Sequence, residues 1–375
     1  MSALCLTLAE QSLATLNEKI RRYAGRVAFI EVRLDYLADP GGSPQLPSTP
    51  TRFIATCRPA GEGGCFQGSE AERLKILQNS IDIGFSWIDL EQSVSVYPAA
   101  FQDVSVLRSH HDFFGSPSDP TELYREMRRL PGQAVKLAVT PLDGRQAVRL
   151  LQWAEGLPGD HRKVILGMGR VGQPTRVLGP LLGSLWTYVV EDGERTVAPG
   201  QFSLPETSGV LRLESWNGSE GRPSFYAVLT ETDFGFRICR ILNRLFADRG
   251  LRAACLPLAV DEVVPWLEYL RESSLHFQGL AITGGLARGA AETHLGTVGL
   301  PDEAVDTLRR TVNGWETGST GSALDLPGTM VASESRAWVS WLAGQFRFWT
   351  GTEATRDALE AYLEQEMQGR EREES

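Results

Sequence analysis

Ala134-Val135-Lys136-Leu137-Ala138-Val139 carries one long amine in an otherwise apolar run. A short, continuous apolar run is the pattern of a strand covered on both faces, as in a parallel sheet flanked by helices. An ammonium on such a strand is costly to desolvate unless it pairs or deprotonates, which makes Lys136 a candidate nucleophilic amine. His111 closes an earlier strand-like run, Val104 to Ser109, and Glu62 follows another, Arg52 to Cys57. An amine, an imidazole and a carboxylate at strand ends suit carbonyl chemistry.

Similar runs recur at 4–8, 27–35, 52–57, 86–91, 104–109, 134–139, 163–167 and 185–190, and helical patterns such as Glu70 to Ile83 and Pro120 to Arg129 lie between most of them. This α/β alternation predicts a closed (β/α)8 TIM barrel rather than an open sheet, with its chemistry at the C-terminal ends of the strands. Polar residues gather there. Glu31, Arg33 and Asp35 end the second run, Arg58 ends the third with Glu62 close behind, and Glu91 ends the fourth. His110 and His111 follow the fifth, Lys136 lies in the sixth, Arg176 follows the seventh and Pro199-Gly200-Gln201 the eighth.

With 375 residues, 42% hydrophobic and 22% charged, the composition is that of a soluble globular chain long enough for two domains. A net charge of -10 with no basic stretch argues against nucleic-acid binding. No run approaches membrane-spanning length, and the N-terminal Leu4-Cys5-Leu6-Thr7-Leu8 reads as a strand rather than a secretion signal, so a cytoplasmic protein is expected. The five cysteines are odd in number and lack metal-ligand spacing, which suits free thiols in a reducing compartment and no metal.

Several segments, in this order, carry a resemblance: Glu31-Val32-Arg33-Leu34-Asp35, Thr56-Cys57-Arg58 leading to Glu62-Gly63-Gly64, and Ile88-Asp89-Leu90-Glu91. They continue with Ser109-His110-His111-Asp112-Phe113, Val135-Lys136-Leu137-Ala138, Met168-Gly169 with Arg176, and Ala198-Pro199-Gly200-Gln201. Residues 1 to about 210 thereby resemble type I 3-dehydroquinate dehydratase, the Schiff-base enzyme of the shikimate pathway. The resemblance implies that Lys136 forms an iminium with the ketone of 3-dehydroquinate, an electron sink that acidifies the neighbouring C–H. It implies that His111 removes that proton and later protonates the leaving hydroxyl, with Glu62 orienting the imidazole. Arg176 would pair with the substrate carboxylate, with nearby cations such as this one favouring the neutral amine. Glu31, Arg33 and Arg58 would bind ring hydroxyls, and Gln201 would belong to a loop that closes over the substrate. No dissociable cofactor is implied.

One departure stands out: Val197 occupies the position where that family has Ser or Thr before the loop glutamine, with Thr196 beside it. A weaker substrate contact is expected there. Taken singly, each residue also has a structural reading: a snorkelling lysine, a core histidine, a loop carboxylate or paired arginines. Gly167-Met168-Gly169-Arg170-Val171-Gly172 matches a dinucleotide fingerprint on paper. Its helix is interrupted by Pro174 and Gly179, so the glycines are read as a close turn over the barrel mouth.

Residues 213–224 read as a linker between a barrel at 1–212 and a second α/β domain at 225–375. Strands are expected near Tyr226–Leu229, Arg252–Pro257 and Gly279–Thr283, with helices at Phe236–Arg249 and Asp261–Glu272. Asn243, Phe246, Gly250-Leu251, Ile282-Thr283, Asn313, Asp325 and Gln345 to Gly351 resemble the substrate-binding domain of shikimate dehydrogenase. That family's two substrate serines fall at Phe236 and Ile238, its lysine at Ala287, an asparagine at Ala281 and a glutamine at Trp341. Fewer than ten residues separate Asp325 from the final helix, too few for a nucleotide domain, so the resemblance implies a degenerate, non-catalytic remnant. Trp338, Trp341, Leu342, Phe346 and Trp349 recur at helical spacing and read as core. Glu364 to Ser375 reads as a frayed, solvated helix end. The second domain would serve as a scaffold, as a partner or homodimer surface, or as a metabolite-binding module. The alternatives for the whole chain are another Schiff-base lyase or aldolase, or a pathway-linked regulatory protein.

Overall fold

Period-two alternation organises the first half of the chain. Outward-facing Leu6, Ile30, Val32, Phe53, Ala55, Ile88, Leu90, Val106 and Val189 form one apolar layer with residues of the helical shell, and Val135, Leu137, Val139 and Ile165 form another. The computed structural model describes residues 3–94, 97–193, 198–210, 222–231, 235–283, 307–311, 314–318 and 335–373. The chain divides into two compact units, Met1–Leu142 with Arg149–Ser208 and Asp143–Val148 with Gly209–Ser375.

The first unit is a parallel sheet of β1 (Ala3–Leu8), β2 (Phe29–Arg33), β3 (Arg52–Thr56), β4 (Trp87–Glu91), β5 (Ser105–Asp112), β6 (Ala134–Val139), β7 (Lys163–Gly167), β8 (Trp186–Val190) and β9 (Phe202–Ser203). The strand order is β7-β6-β5-β4-β3-β2-β1-β8-β9. The curl brings its ends together: Lys163 bridges Ser184, and the Leu185 N–H donates to the Lys163 carbonyl at 2.8 Å. That bridge closes the first eight strands into the expected barrel.

The helices are α1 (Leu13–Tyr23), α2 (Glu70–Ile83), α3 (Thr121–Arg129), α4 (Gly144–Glu155), α5 (Gly169–Leu178) and α6 (Leu204–Val210). A capping box between Ser69 and Glu72 starts α2, and Gly84, at φ 110°, ends it. The crossovers after β2 and β4 carry short 3₁₀ segments, at Leu34–Tyr36 and Ala99–Asp103. β5 runs on to Asp112, so His110 and His111 lie within the strand rather than after it.

The inward side chains make layers. The floor is aromatic and set by residues that begin their strands: Trp186 lies 4.6 Å from Phe29 and 5.5 Å from Trp87, ring centroid to centroid. Arg52 covers Phe29 and Arg162 covers Trp87, with guanidinium carbons 5.7 and 5.3 Å from the rings. One level up, every inward position from β2 to β6 except Thr56 and Ser109 is ionisable: Glu31, Asp89 and Lys136.

The second unit holds β10 (Ser224–Thr230), α7 (Gly235–Asp248), β11 (Ala253–Ala259), α8 (Val264–Glu272), β12 (Gly279–Ile282), β13 (Thr307–Thr311), β14 (Gly314–Gly318), α9 (Ser335–Thr350) and α10 (Arg356–Glu373). Its sheet has the order β11-β10-β12-β13-β14, with β13 and β14 antiparallel. Trp338, Trp341, Leu342, Phe346 and Trp349 are all buried, and Trp349 stacks on Tyr226 at 4.9 Å. The expected solvation from Glu364 is corrected at Glu366. Helix α10 continues to Glu373, and the buried Glu366 is paired with Arg240 at 2.7 Å and Arg244 at 3.5 Å. Thr196, Val197, Ala287, Asn313, Asp325 and most of the expected linker lie outside the described residues.

Trp186→Ala should lower stability by about 3–5 kcal/mol, the usual cost of removing a large buried aromatic. Urea unfolding followed by near-ultraviolet circular dichroism checks this, and an unchanged midpoint would contradict the aromatic floor.

Candidate active site

Lys136 points from β6 into the barrel above the aromatic floor and is 6% exposed. Its Nζ donates to Asp89 Oδ2 at 3.1 Å, lies 3.8 Å from Glu31 Oε1, and sits 4.5 Å from the Tyr188 ring centroid. The amine's immediate neighbours are therefore carboxylates and a π-face, rather than the cationic surroundings expected from sequence. Glu31 is fixed by two hydroxyl donors, Thr7 at 3.0 Å and Thr56 at 2.9 Å.

Asp89 is fully buried and takes three partners: Lys136, the Arg58 guanidinium at 2.8 Å and the Ser109 hydroxyl at 2.5 Å. Burial alone would raise its pKa, but Arg58, Lys136 and the Ser109 hydroxyl hold it well below the ordinary carboxylate range. Arg58 continues to Glu91 at 2.6 Å, and Glu91 pairs with Arg73 of α2 at 2.7 Å. Arg73 reaches the half-exposed Glu70 at 2.8 Å. Both ends of the Arg58 fork are thus engaged, and its first task is to fix carboxylates rather than to reach for a ring hydroxyl.

His111 occupies the inward position two residues after Ser109. Its Nδ1 is 3.6 Å from Glu62 Oε2, just beyond hydrogen-bond reach, and its ring stacks on Phe113 at 6.3 Å. Burial, then the Arg58 and Lys136 charges, push the imidazole well below the ordinary histidine value, so the ring is neutral near pH 7. Burial raises Glu62, which Arg58 and a Ser93 hydrogen bond oppose. Gly63 ends the 3₁₀ turn that carries Glu62, at φ 75°, and a Cβ there would fall 2.4 Å from Phe113.

Arg176 projects from α5 and is 2% exposed. One Nη donates to the Pro199 carbonyl at 3.1 Å, its Nε is unsatisfied, and no carboxylate lies within salt-bridge distance among the described residues. Burial draws its pKa down to about 10. A buried guanidinium without an anion suits an anionic ligand group. Arg33 is committed to Asp35 through two bonds of 2.9 and 2.7 Å. Gln201 folds back so that its Oε1 accepts from the Ala198 N–H at 3.0 Å. The glycine fingerprint is a packing device, since a Cβ on Gly172 would lie 2.4 Å from the Gly167 carbonyl carbon.

Glu31, Arg33, Arg58, Glu62, His111, Lys136, Arg176 and Gln201 all line one cavity, together with Tyr188 and Met168. Sequence reasoning quoted Asp89 within a motif but gave it no role, although its signal was there: Trp87, Asp89 and Glu91 share one side of β4. Among the described residues, no group of three or more His, Cys, Asp or Glu is placed to hold a metal ion. Among the described residues, no helix is long and apolar enough to cross a membrane.

Asp89→Asn leaves Lys136 and Arg58 without their shared anion and should cost about 3–5 kcal/mol, as breaking a buried pair does. Urea denaturation measures it, and a variant as stable as the parent would contradict the arrangement.

Residues 4–217 match the family model described as Type I 3-dehydroquinase. The 3-dehydroquinate dehydratase of Methanothrix thermoacetophila is 37% identical over 208 residues, covering 53% of this chain and 90% of that protein. The enzyme of that name from Desulfotalea psychrophila is 31% identical over 223 residues, covering 56% of this chain and 96% of its own length. The crystal structure of 3-dehydroquinate dehydratase from Geobacillus kaustophilus HTA426 shares the barrel fold, at a TM-score of 0.51 and 23% identity over 58% of this chain and 93% of that one. With its model matched across more than half of the chain, the protein belongs to the type I 3-dehydroquinase family.

Proposed function

We propose that the chain converts 3-dehydroquinate to 3-dehydroshikimate and water, through an iminium formed on Lys136. The observation that carries this reading is the buried Lys136 amine, 3.1 Å from Asp89, in a cavity that also presents a neutral imidazole and a guanidinium with no carboxylate within salt-bridge distance among the described residues.

Arg176 takes the substrate carboxylate, which sets the ketone toward Lys136. The amine adds to the carbonyl and water leaves, giving an iminium with the same positive charge as the ammonium it replaces. Asp89 and Glu31 therefore stabilise the intermediate without reorganising, which is electrostatic preorganisation. His111 removes the proton beside the iminium carbon, the enamine expels the hydroxyl, and the His111 proton leaves with it as water. Hydrolysis of the conjugated iminium returns the free amine. Glu62 orients the imidazole, and the Ala198–Gln201 loop covers the substrate.

We propose further that the second unit is a remnant of a shikimate dehydrogenase substrate domain and carries out no hydride transfer. The support is chemical: Phe236, Ile238, Ala281 and Trp341 are buried and apolar at positions where that chemistry needs polar side chains. NADPH oxidation with 3-dehydroshikimate should stay at background, and turnover there would overturn this part.

The dehydration test is the ultraviolet absorbance of the conjugated product formed from 3-dehydroquinate. Lys136→Met should leave no turnover above background, and His111→Ala should lose about 10²–10⁴-fold in kcat. Arg176→Lys should raise KM more than it lowers kcat, because an ammonium cannot reproduce the bidentate fork. The acid limb of kcat/KM should lie below pH about 6.5, since neutral His111 is the base and its protonation is disfavoured. A folded parent chain without turnover would defeat the reading.

A further inference from the structure

Outside the cavity, one exposed hydroxyl touches the proposed machinery. Ser93, in the turn after β4, donates from Oγ to Glu62 Oε1 at 3.1 Å and does not line the cavity. The other oxygen, Oε2, faces His111 Nδ1 at 3.6 Å, and both atoms are buried without a hydrogen-bond partner among the described residues. Two unsatisfied groups thus stand opposed across a gap that a small movement closes, as catalytic hydrogen bonds in unliganded sites often do.

The turn that presents Ser93 is held firmly. Gln92 donates its N–H to the Ser109 carbonyl at 2.7 Å, and Val94 donates to the Glu91 carbonyl at 3.2 Å. Arg108, 1% exposed, donates to the Glu91 and Val94 carbonyls at 3.2 Å each, bracketing Ser93, and to the Pro131 carbonyl at 2.8 Å. A buried guanidinium devoted to carbonyls is a costly way to fix one turn. Glu62, by contrast, sits on a loop where nothing else among these contacts sets the rotation of its carboxylate.

Resting on the dehydratase reading above, we propose that Ser93 is a positioning residue: its hydroxyl fixes one Glu62 oxygen so that the other faces the His111 imidazole. By donating to the carboxylate, Ser93 favours the ionised Glu62 that burial opposes. The charges facing Glu62 are Arg58 at the end of β3, Asp89 on β4, His111 on β5 and Arg73 on α2. Those facing His111 are Arg58, Lys136, Asp89 and Arg33. None of them changes when the hydroxyl is removed. The proposed reaction needs Glu62 ionised and His111 neutral, so easier protonation of Glu62 raises the acid limb.

The experiment compares Ser93→Ala and Ser93→Thr with the parent, in the full chain, across pH 5 to 8. Ser93→Ala should lower kcat by up to about tenfold, the order of one hydrogen bond to a charged group, leave KM within about twofold and move the acid limb upward. Ser93→Thr should keep the parent profile. In a Glu62→Gln background, Ser93→Ala should add no further loss. A loss of kcat with an unmoved limb, or an equal loss in both backgrounds, would overturn the proposal. An activity-free arm separates it from the dehydratase reading: ¹³C NMR of the Glu62 carboxyl should show a higher midpoint in Ser93→Ala. An unmoved midpoint overturns the role of Ser93 whether or not the chain turns over, whereas an inactive parent with a shifted midpoint defeats only the dehydratase reading.

Discussion

The carboxylate of Asp89, shared between Lys136 and Arg58, is the interaction on which the barrel's interior depends. Ions taken from water each carry a penalty of several kcal/mol, which is recovered only with excellent pairing and further hydrogen bonds. The structure meets that condition with alternating charge. From Glu70 at the helical shell the sequence of partners runs through Arg73, Glu91, Arg58, Asp89 and Lys136 to Glu31. Each internal member has an opposite charge on either side, and Ser109, Thr7 and Thr56 satisfy remaining lone pairs. The aromatic floor of Phe29, Trp87 and Trp186 keeps one end of the array dry, which strengthens every pairing within it.

The array also bears on the chemistry proposed for the buried lysine. Asp89 and Glu31 lie 3.1 and 3.8 Å from Nζ, and the proposed iminium would place its positive charge on that same atom. The groups proposed to respond to substrate are held differently. Glu62 and Gln201 sit on loops, and Arg176 rests on a carbonyl rather than an anion, so each can change partner at modest cost. Strand-borne groups supply the fixed field, and loop-borne and helix-borne groups supply the adjustable contacts.

Much of this was legible in the sequence because strands buried on both faces are nearly continuous apolar runs, and a barrel sends its chemistry to their C-terminal ends. The run at 134–139 coincides with β6, and Glu70 to Ile83 with α2. Less was legible where long-range partners decide. Asp89 looked like part of a motif until Lys136 and Arg58 were seen to converge on it. Arg73 and Arg108 do not line the cavity, and nothing in their local sequence announces Glu91 or the carbonyls they hold. The extension of β5 through His111 follows from pairing with β6, which couples His111 to Ala138 and Asp112 to Val139. At the C-terminal end the charged composition suggested solvent, whereas Arg240 and Arg244, far away in sequence, give Glu366 a reason to be buried.

The central claim is that the Lys136 amine becomes covalently bound to a ketone substrate. Borohydride reduction of the full chain in the presence of 3-dehydroquinate, followed by intact mass and peptide mapping, tests it most directly. The account requires one added substrate-derived mass per chain, located on the peptide that contains Lys136 and absent when that residue is methionine. Adduct formation on a different lysine, or turnover with no reducible adduct, would contradict it.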